Sequence, residues 1–210
     1  MIVNIAGEDL QLLGEKAIFW QKHQLLLIAD LHLGKDNHFR RSGIAVPSQS
    51  NDQNIERLIV LLQQMSIKRV MFMGDLFHSH YNPSWEDFGT FLNSFSEIAF
   101  DLVIGNHDIM SEHQYTKYSI NIYKDPIALD PFVISHEPLA AFEGYNLAGH
   151  IHPGVMLRGK ARQGIRLPCF YFGKSQGLLP AFGEFTGSHK LSIKKEDKVF
   201  PIVEGKVLSF

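Results

Sequence analysis

One cysteine, Cys169, stands in 210 residues, which excludes an internal disulfide framework and fits a reducing compartment. No apolar run approaches the roughly 20 residues that span a bilayer. The amino terminus, Met1-Ile2-Val3-Asn4 with Glu8 and Asp9 soon after, lacks the basic start and apolar block of a signal peptide. A cytoplasmic location without membrane contact is expected. Positive charge is not in excess either. Twenty Lys and Arg face 22 Asp and Glu, a formal net charge of -2, which argues against holding nucleic acid mainly through a global positive field. Internal repeats, low-complexity tracts and linkers rich in Pro, Gly or Ser are also missing. A single domain over residues 1–210 is therefore expected, and 45% hydrophobic with 20% charged content can build a substantial core.

What the chain does contain is five short stretches that end in divalent-metal ligand types. They are Asp30-Leu31-His32, Gly74-Asp75, Gly105-Asn106-His107-Asp108, Ser135-His136 and Gly149-His150-Ile151-His152. Four follow apolar runs typical of buried strands (25–29, 70–73, 102–104 and 132–134), which puts their ligands at strand ends, where α/β folds keep active sites.

The rest of the pattern supports an α/β chain. Short apolar runs at 10–13 and 17–20 read as strands joined by turns at Gly7 and Gly14. Ile55, Leu58, Ile59 and Leu62 predict a helix over 50–64, with Ser50 or Asn51 as cap. Asn82-Pro83 opens a second helix whose Trp85, Phe88, Leu92 and Phe95 share a face. Strands alternating with helices imply crossover connections and a largely parallel sheet in the first half. After Ile109 the helical signal fades, and runs such as 165–172, 191–193 and 198–203 predict a second half that is mostly β.

Carboxylate oxygen, imidazole nitrogen and amide oxygen together suit Mn²⁺, Fe²⁺ or Zn²⁺. In a two-metal hydrolase the ions stand roughly 3.5–4 Å apart, so one ligand must bridge them, and a strand-end Asp75 is the natural bridge. Asp30 and His32 are expected to point the same way because i and i+2 of an extended segment share a face. The same geometry would let His150 and His152 diverge slightly toward different ions. Two divalent cations balanced by Asp30, Asp75 and one hydroxide leave about one positive charge, enough to attract a phosphate. Basic residues gather at Lys35, Arg40 and Arg41, and again at Arg158, Lys160, Arg162 and Arg166. Cys169 reads as an inert core thiol.

In order and spacing the five stretches resemble the calcineurin-like metallophosphoesterases, whose pattern is D-x-H, G-D, G-N-H-D/E, a single His, and G-H-x-H. The resemblance implies two mixed β-sheets packed face to face as a sandwich flanked by helices. It implies Asp30, His32, Asp75 and His152 around one metal, and Asp75, Asn106, His136 and His150 around the other. His107 would be the catalytic histidine and Asp108 would orient its ring. Further segments (Asp30 to Lys35, Gly74 to Ser79, Ser135 to Pro138, Leu147 to His150, Arg166 to Phe170 and Leu179 to Gly187) are similar to the bacterial DNA ligase-associated group, the PdeM type.

That closer resemblance implies a Mn²⁺-dependent phosphodiesterase and DNA endonuclease that works beside a DNA ligase and a helicase in repair. The same residues would serve a small substrate such as a cyclic nucleotide or a phosphomonoester. A non-catalytic scaffold of this fold is a third reading, disfavoured by the presence of His107. Relatives often carry Gly-Asp-x-x-Asp, whereas His78 replaces the second acid here, so His78 either touches substrate or orients the ligand loop. Lys35 and Arg40 are candidate phosphate contacts. A homodimer, the commonest assembly of soluble oligomers, is the expected form if the chain associates, with Val207-Leu208-Ser209-Phe210 offering an edge.

Overall fold

The computed structural model describes residues 1–34, 50–78, 80–158, 164–184 and 186–209, with the side chains of 50–52 and 158 excluded. Two mixed β-sheets pack face to face. The first runs in chain order: β1 (Ile2–Ile5), β2 (Glu8–Leu12), β3 (Ile18–Trp20), β4 (Leu25–Ile28), β5 (Arg69–Met73), β6 (Ala99–Val103) and β7 (Ile120–Tyr123). β1 to β4 pair antiparallel and β4 to β7 parallel. The crossovers carry α1 (Ser50–Gln64), α2 (Pro83–Asn93) and α3 (Glu112–Thr116). Parallel steps in one direction with right-handed crossovers put all three helices on the same face.

That arrangement requires the parallel strands to be apolar on both sides, and they are. Leu26, Ile28, Val70, Phe72, Phe100 and Leu102 join Leu58, Leu62, Trp85, Phe88 and Leu92 in a core under the helices. Their alternates Leu25, Leu27, Met71, Met73 and Val103 face the second sheet and meet Phe132, Ile134, Leu147, Phe170 and Phe172. Each such side chain contributes about 1.5–3 kcal/mol on burial. α2 starts where the sequence says: Pro83 fills the first turn and the Asn82 side chain accepts from the Ser84 N–H at 3.0 Å.

The second sheet contains β8 (Ile127–Leu129), β9 (Phe132–Ser135), β10 (Tyr145–Ala148), β11 (Pro153–Arg158), β12 (Gly164–Phe172), β13 (Gln176–Leu178) and β14 (His189–Lys190). Its order is β14-β11-β12-β13-β10-β9-β8. β15 (Lys198–Val203) pairs with β12 and with β16 (Lys206–Val207). β9, β10 and β13 are parallel, so both sheets bring parallel strand ends to one edge of the sandwich. Two local expectations fail. Residues 191–193 are irregular rather than a strand, and Ile193 is exposed. The short helix α3 appears where no helical period was visible, seated by the buried Tyr115. Among the described residues no helix is long and apolar enough to cross a membrane.

Candidate metal centre

All five stretches reach the same edge of the sandwich: Asp30 and His32 after β4, Asp75 after β5, Asn106 and His107 after β6, His136 after β9, His150 and His152 after β10. Two trios have ligand atoms within 4.8 Å of one another: Asp30, His32 and His152, and Asp75, His136 and His150. Asp30, His32, Asp75 and His136 are buried, while Asn106, His107, His150 and His152 open toward solvent. The centre thus has a dry floor and a wet mouth.

Bonds to backbone carbonyls decide which imidazole nitrogens carry lone pairs. His136 Nδ1 donates to Met73 O at 3.0 Å. Its Nε2 therefore presents a lone pair and faces Asn106 Oδ1 at 3.0 Å, His150 Nδ1 at 3.1 Å and Asp75 Oδ1 at 3.5 Å. His152 Nδ1 donates to Gly187 O at 3.2 Å, which turns the Nε2 lone pair toward His32 Nε2 and Asp30 Oδ1, each at 3.4 Å. Asp30 Oδ1 is buried and has no hydrogen-bond partner, whereas Oδ2 accepts from the His150 N–H at 2.9 Å. Converging acceptors around an unpartnered carboxylate oxygen are costly without a cation. The donor set fits a borderline divalent ion at each trio.

Asp75 links the trios. Oδ2 lies 3.9 Å from His32 Nε2 on one side, and Oδ1 lies 3.5 Å from His136 Nε2 on the other. Oδ1 also accepts the His107 N–H at 2.9 Å, which ties the loop after β6 to this carboxylate.

The backbone that aims these groups is not extended. Asp30, His32, Asp75, His150 and His152 all sit at φ between +50° and +62°. This corrects the reason given for Asp30 and His32 sharing a direction and for the divergence of His150 and His152: left-handed turns aim them, not strand alternation. The motif glycines follow from the crowding. A Cβ on Gly74, itself at φ +79°, would lie 2.1 Å from His136 Nδ1, and one on Gly105 would lie 2.4 Å from Asp75 Oδ1.

Asp108 needs a second correction. Its buried carboxylate does not hold the His107 ring. It accepts the backbone N–H groups of Leu76 (3.0 Å), Phe77 (3.2 Å) and Gly105 (2.9 Å), clamping the loop after β5 to the loop after β6. Burial pushes its pKa up to about 7, against the downward pull of the amides. The ring that meets His107 is His78, with centroids 4.0 Å apart. His78 Nδ1 also lies 3.2 Å from His32 Nδ1, the position of a group that orients a ligand. Lys35 and Arg40 lie outside the described residues. Sequence reading missed the carbonyls of Met73 and Gly187 that fix two imidazoles, because a backbone acceptor leaves no residue-type signal.

A sandwich whose parallel strand ends assemble two linked Asp/His groups defines the class of metal-dependent phosphoester hydrolases. Residues 23–191 match the calcineurin-like phosphoesterases, and the chain belongs to that family. Its members hydrolyse phosphoester bonds with divalent metals. Among solved structures, the nuclease MPE of Pseudomonas putida is similar over 100% of this chain and 99% of its own, with 27% identity and a TM-score of 0.84. Yfce, a phosphoesterase from E. coli, shares the fold at 15% identity and a TM-score of 0.51, over 88% of this chain and 96% of its own. The sequence matched none of the curated proteins it was compared with.

Proposed function

We propose that this protein is a two-metal phosphodiesterase that cuts DNA as an endonuclease in repair and takes Mn²⁺ as its ion. The observation that carries this reading is the Asp75 carboxylate, whose two oxygens serve the two histidine groups separately. Likeness to a nuclease over the whole chain supports a nucleic acid as the substrate, and DNA follows from the resemblance of the chain's motifs to the ligase-associated group. Asp30, His32, Asp75 and His152 would hold one ion, and Asp75, Asn106, His136 and His150 the other. Bound there, two divalent cations supply a water that ionises near neutral pH and charge to neutralise the phosphate.

The chain's own residues do the rest. Asp75 sets the spacing of the two groups. His107, half-buried at the mouth, either donates a hydrogen bond to a non-bridging oxygen of the crowded transition state or passes a proton to the leaving oxygen as the P–O bond breaks. Such proton transfer contributes about 10²–10⁴-fold. His78 packs against the His107 ring and holds the tautomer of His32 through their Nδ1 atoms. Of the partners expected, the helicase would supply unwound strands to this site, and the DNA ligase would seal the strands after repair.

The test uses metal-stripped protein given back Mn²⁺, with a chromogenic diester, a phosphomonoester and nicked or single-stranded DNA as substrates. Diester and DNA cleavage are expected, and both fall sharply in His107→Ala while its metal content stays near that of the wild type. Asp75→Asn should empty both groups. Diester cleavage without DNA cleavage would move the assignment to a small substrate, and metal binding without any cleavage would leave only a scaffold.

A further inference from the structure

Beyond the metal groups, on the far side of the His152 ring, lies a cleft of about 200 Å³ lined by Lys16, Arg166, Pro168, Thr186 and Ser188 with His152 itself. It is too small for a drug-sized ligand, whose pockets begin near 300 Å³, and suits a single phosphate-sized group. Among the described residues no carboxylate lines it. Of the described residues that line it, Lys16 and Arg166 carry positive charge, and Arg57 stands behind them beside Lys16. Against them are Glu184, which lies 2.9 Å from Arg57 and 3.4 Å from Lys16, and Glu15 beside Arg57. The rim is therefore locally positive on a chain whose net charge is -2. Lys16 is desolvated, with a side chain only 16% exposed, and Glu184 is shared with the closer Arg57, so the Lys16 charge is only partly balanced. Arg166 spends one guanidinium N–H on Ser188 O at 2.8 Å, which fixes the fork and leaves its other donors for a ligand.

The geometry points to this cleft as a subsite for a second, uncleaved phosphate of the substrate, contacted by Arg166 and Lys16. This rests on the phosphodiesterase reading and adds which side of the scissile bond the substrate extends toward. His152 is the wall between the two sites. Its Nε2 faces Asp30 and His32 while its ring lines the cleft, so a chain leaving the metal groups on this side meets Arg166 next. A second phosphate could come from a polynucleotide strand or from a small nucleotide carrying two phosphates. The chemistry at the cleft is the same.

The test pairs binding with turnover in the full-length chain. A fluorescein-labelled single-stranded oligonucleotide is titrated by anisotropy in EDTA, and the same oligonucleotide and bis(p-nitrophenyl) phosphate, which has one phosphorus, are hydrolysed with Mn²⁺. Arg166 is exposed, so Arg166→Gln should fold. It is expected to weaken binding about tenfold and to flatten the log–log salt slope by about 0.7, the value for one lost phosphate contact on a single strand. The ratio of kcat/KM for oligonucleotide over diester should fall by about the same factor. Arg166→Lys should recover part of the loss. Unchanged affinity and salt slope in both Arg166→Gln and Arg166→Glu would overturn the subsite. So would equal losses on both substrates with unaltered binding, which would make Arg166 a support for the His152 loop. A nucleoside 3′,5′-bisphosphate that competes as well as the oligonucleotide supports the subsite with a small nucleotide in it; competition by longer strands alone supports it with DNA. Wild-type protein that cleaves no phosphodiester would sink the proposed function, while the EDTA titration would still decide the subsite.

Discussion

Replacing Asp108 with Ala removes the two carboxylate oxygens that accept the Leu76, Phe77 and Gly105 amides. Each buried N–H left unpaired costs about 1–3 kcal/mol, and relaxation of the loops brings the total near the 3–5 kcal/mol typical of a broken buried ionic set. For a chain of this size about 2–4 °C of Tm goes with each kcal/mol, so Asp108→Ala should melt about 6–20 °C lower. Asp108→Asn keeps one oxygen for Leu76 and Phe77 and turns its NH₂ toward Gly105. Since burial already raises the acid's pKa to about 7, the neutral amide is the milder change, about 1–2 kcal/mol, or 2–8 °C. Thermal unfolding by circular dichroism, with turnover measured well below both midpoints, separates this clamp from a role on the His107 ring. If both variants melted within about 2 °C of the wild type and lost turnover alike, the clamp would be refuted.

Three further outcomes are expected. Gly74→Ala forces a Cβ into His136 from a backbone at φ +79°, so metal analysis should show the Asp75–His136–His150 group losing its ion before the other; two ions retained would contradict this. Cys169 is fully buried with its thiol pushed up to about 12, so a disulfide reagent at pH 8 should label no thiol in native protein and one per chain in denaturant; fast native labelling would place the thiol at the surface. Asn146→Leu fills the same space but strands the Leu139 N–H and the Val133 carbonyl. It should cost about 2–4 kcal/mol in urea unfolding, and a neutral result would show that those groups find water.

The strands that carry ligands were legible because parallel strands buried on both faces are continuous apolar runs, as in Leu25 to Ile28 and Val70 to Met73. β10 was not, because Asn146 breaks its run. The amide is fully buried all the same, donating to Val133 O and Ser135 Oγ and accepting from Leu139 N and Gln176 Nε2, and no single-residue scale anticipates such a satisfied polar group. The convergence of Asp30, His32, Asp75, Asn106, His136, His150 and His152 on one edge could be expected from strand ends alone. The turns that aim them could not, since Asp and His tolerate positive φ without announcing it. Asp108 was misread for a related reason: its partners are backbone amides, which every residue owns.

The five left-handed ligand residues bear on how such a centre could be moved elsewhere. Each costs about 1–2 kcal/mol of backbone energy, together as much as the net stability of many domains, and the two sheets and the Asp30 and Asp75 hydrogen bonds hold them there. A designer who copied the seven side chains onto an idealised scaffold, whose loops avoid positive φ, would obtain the right letters with the wrong aim. The portable unit is the set of bent strand ends with their glycines, not the list of ligands.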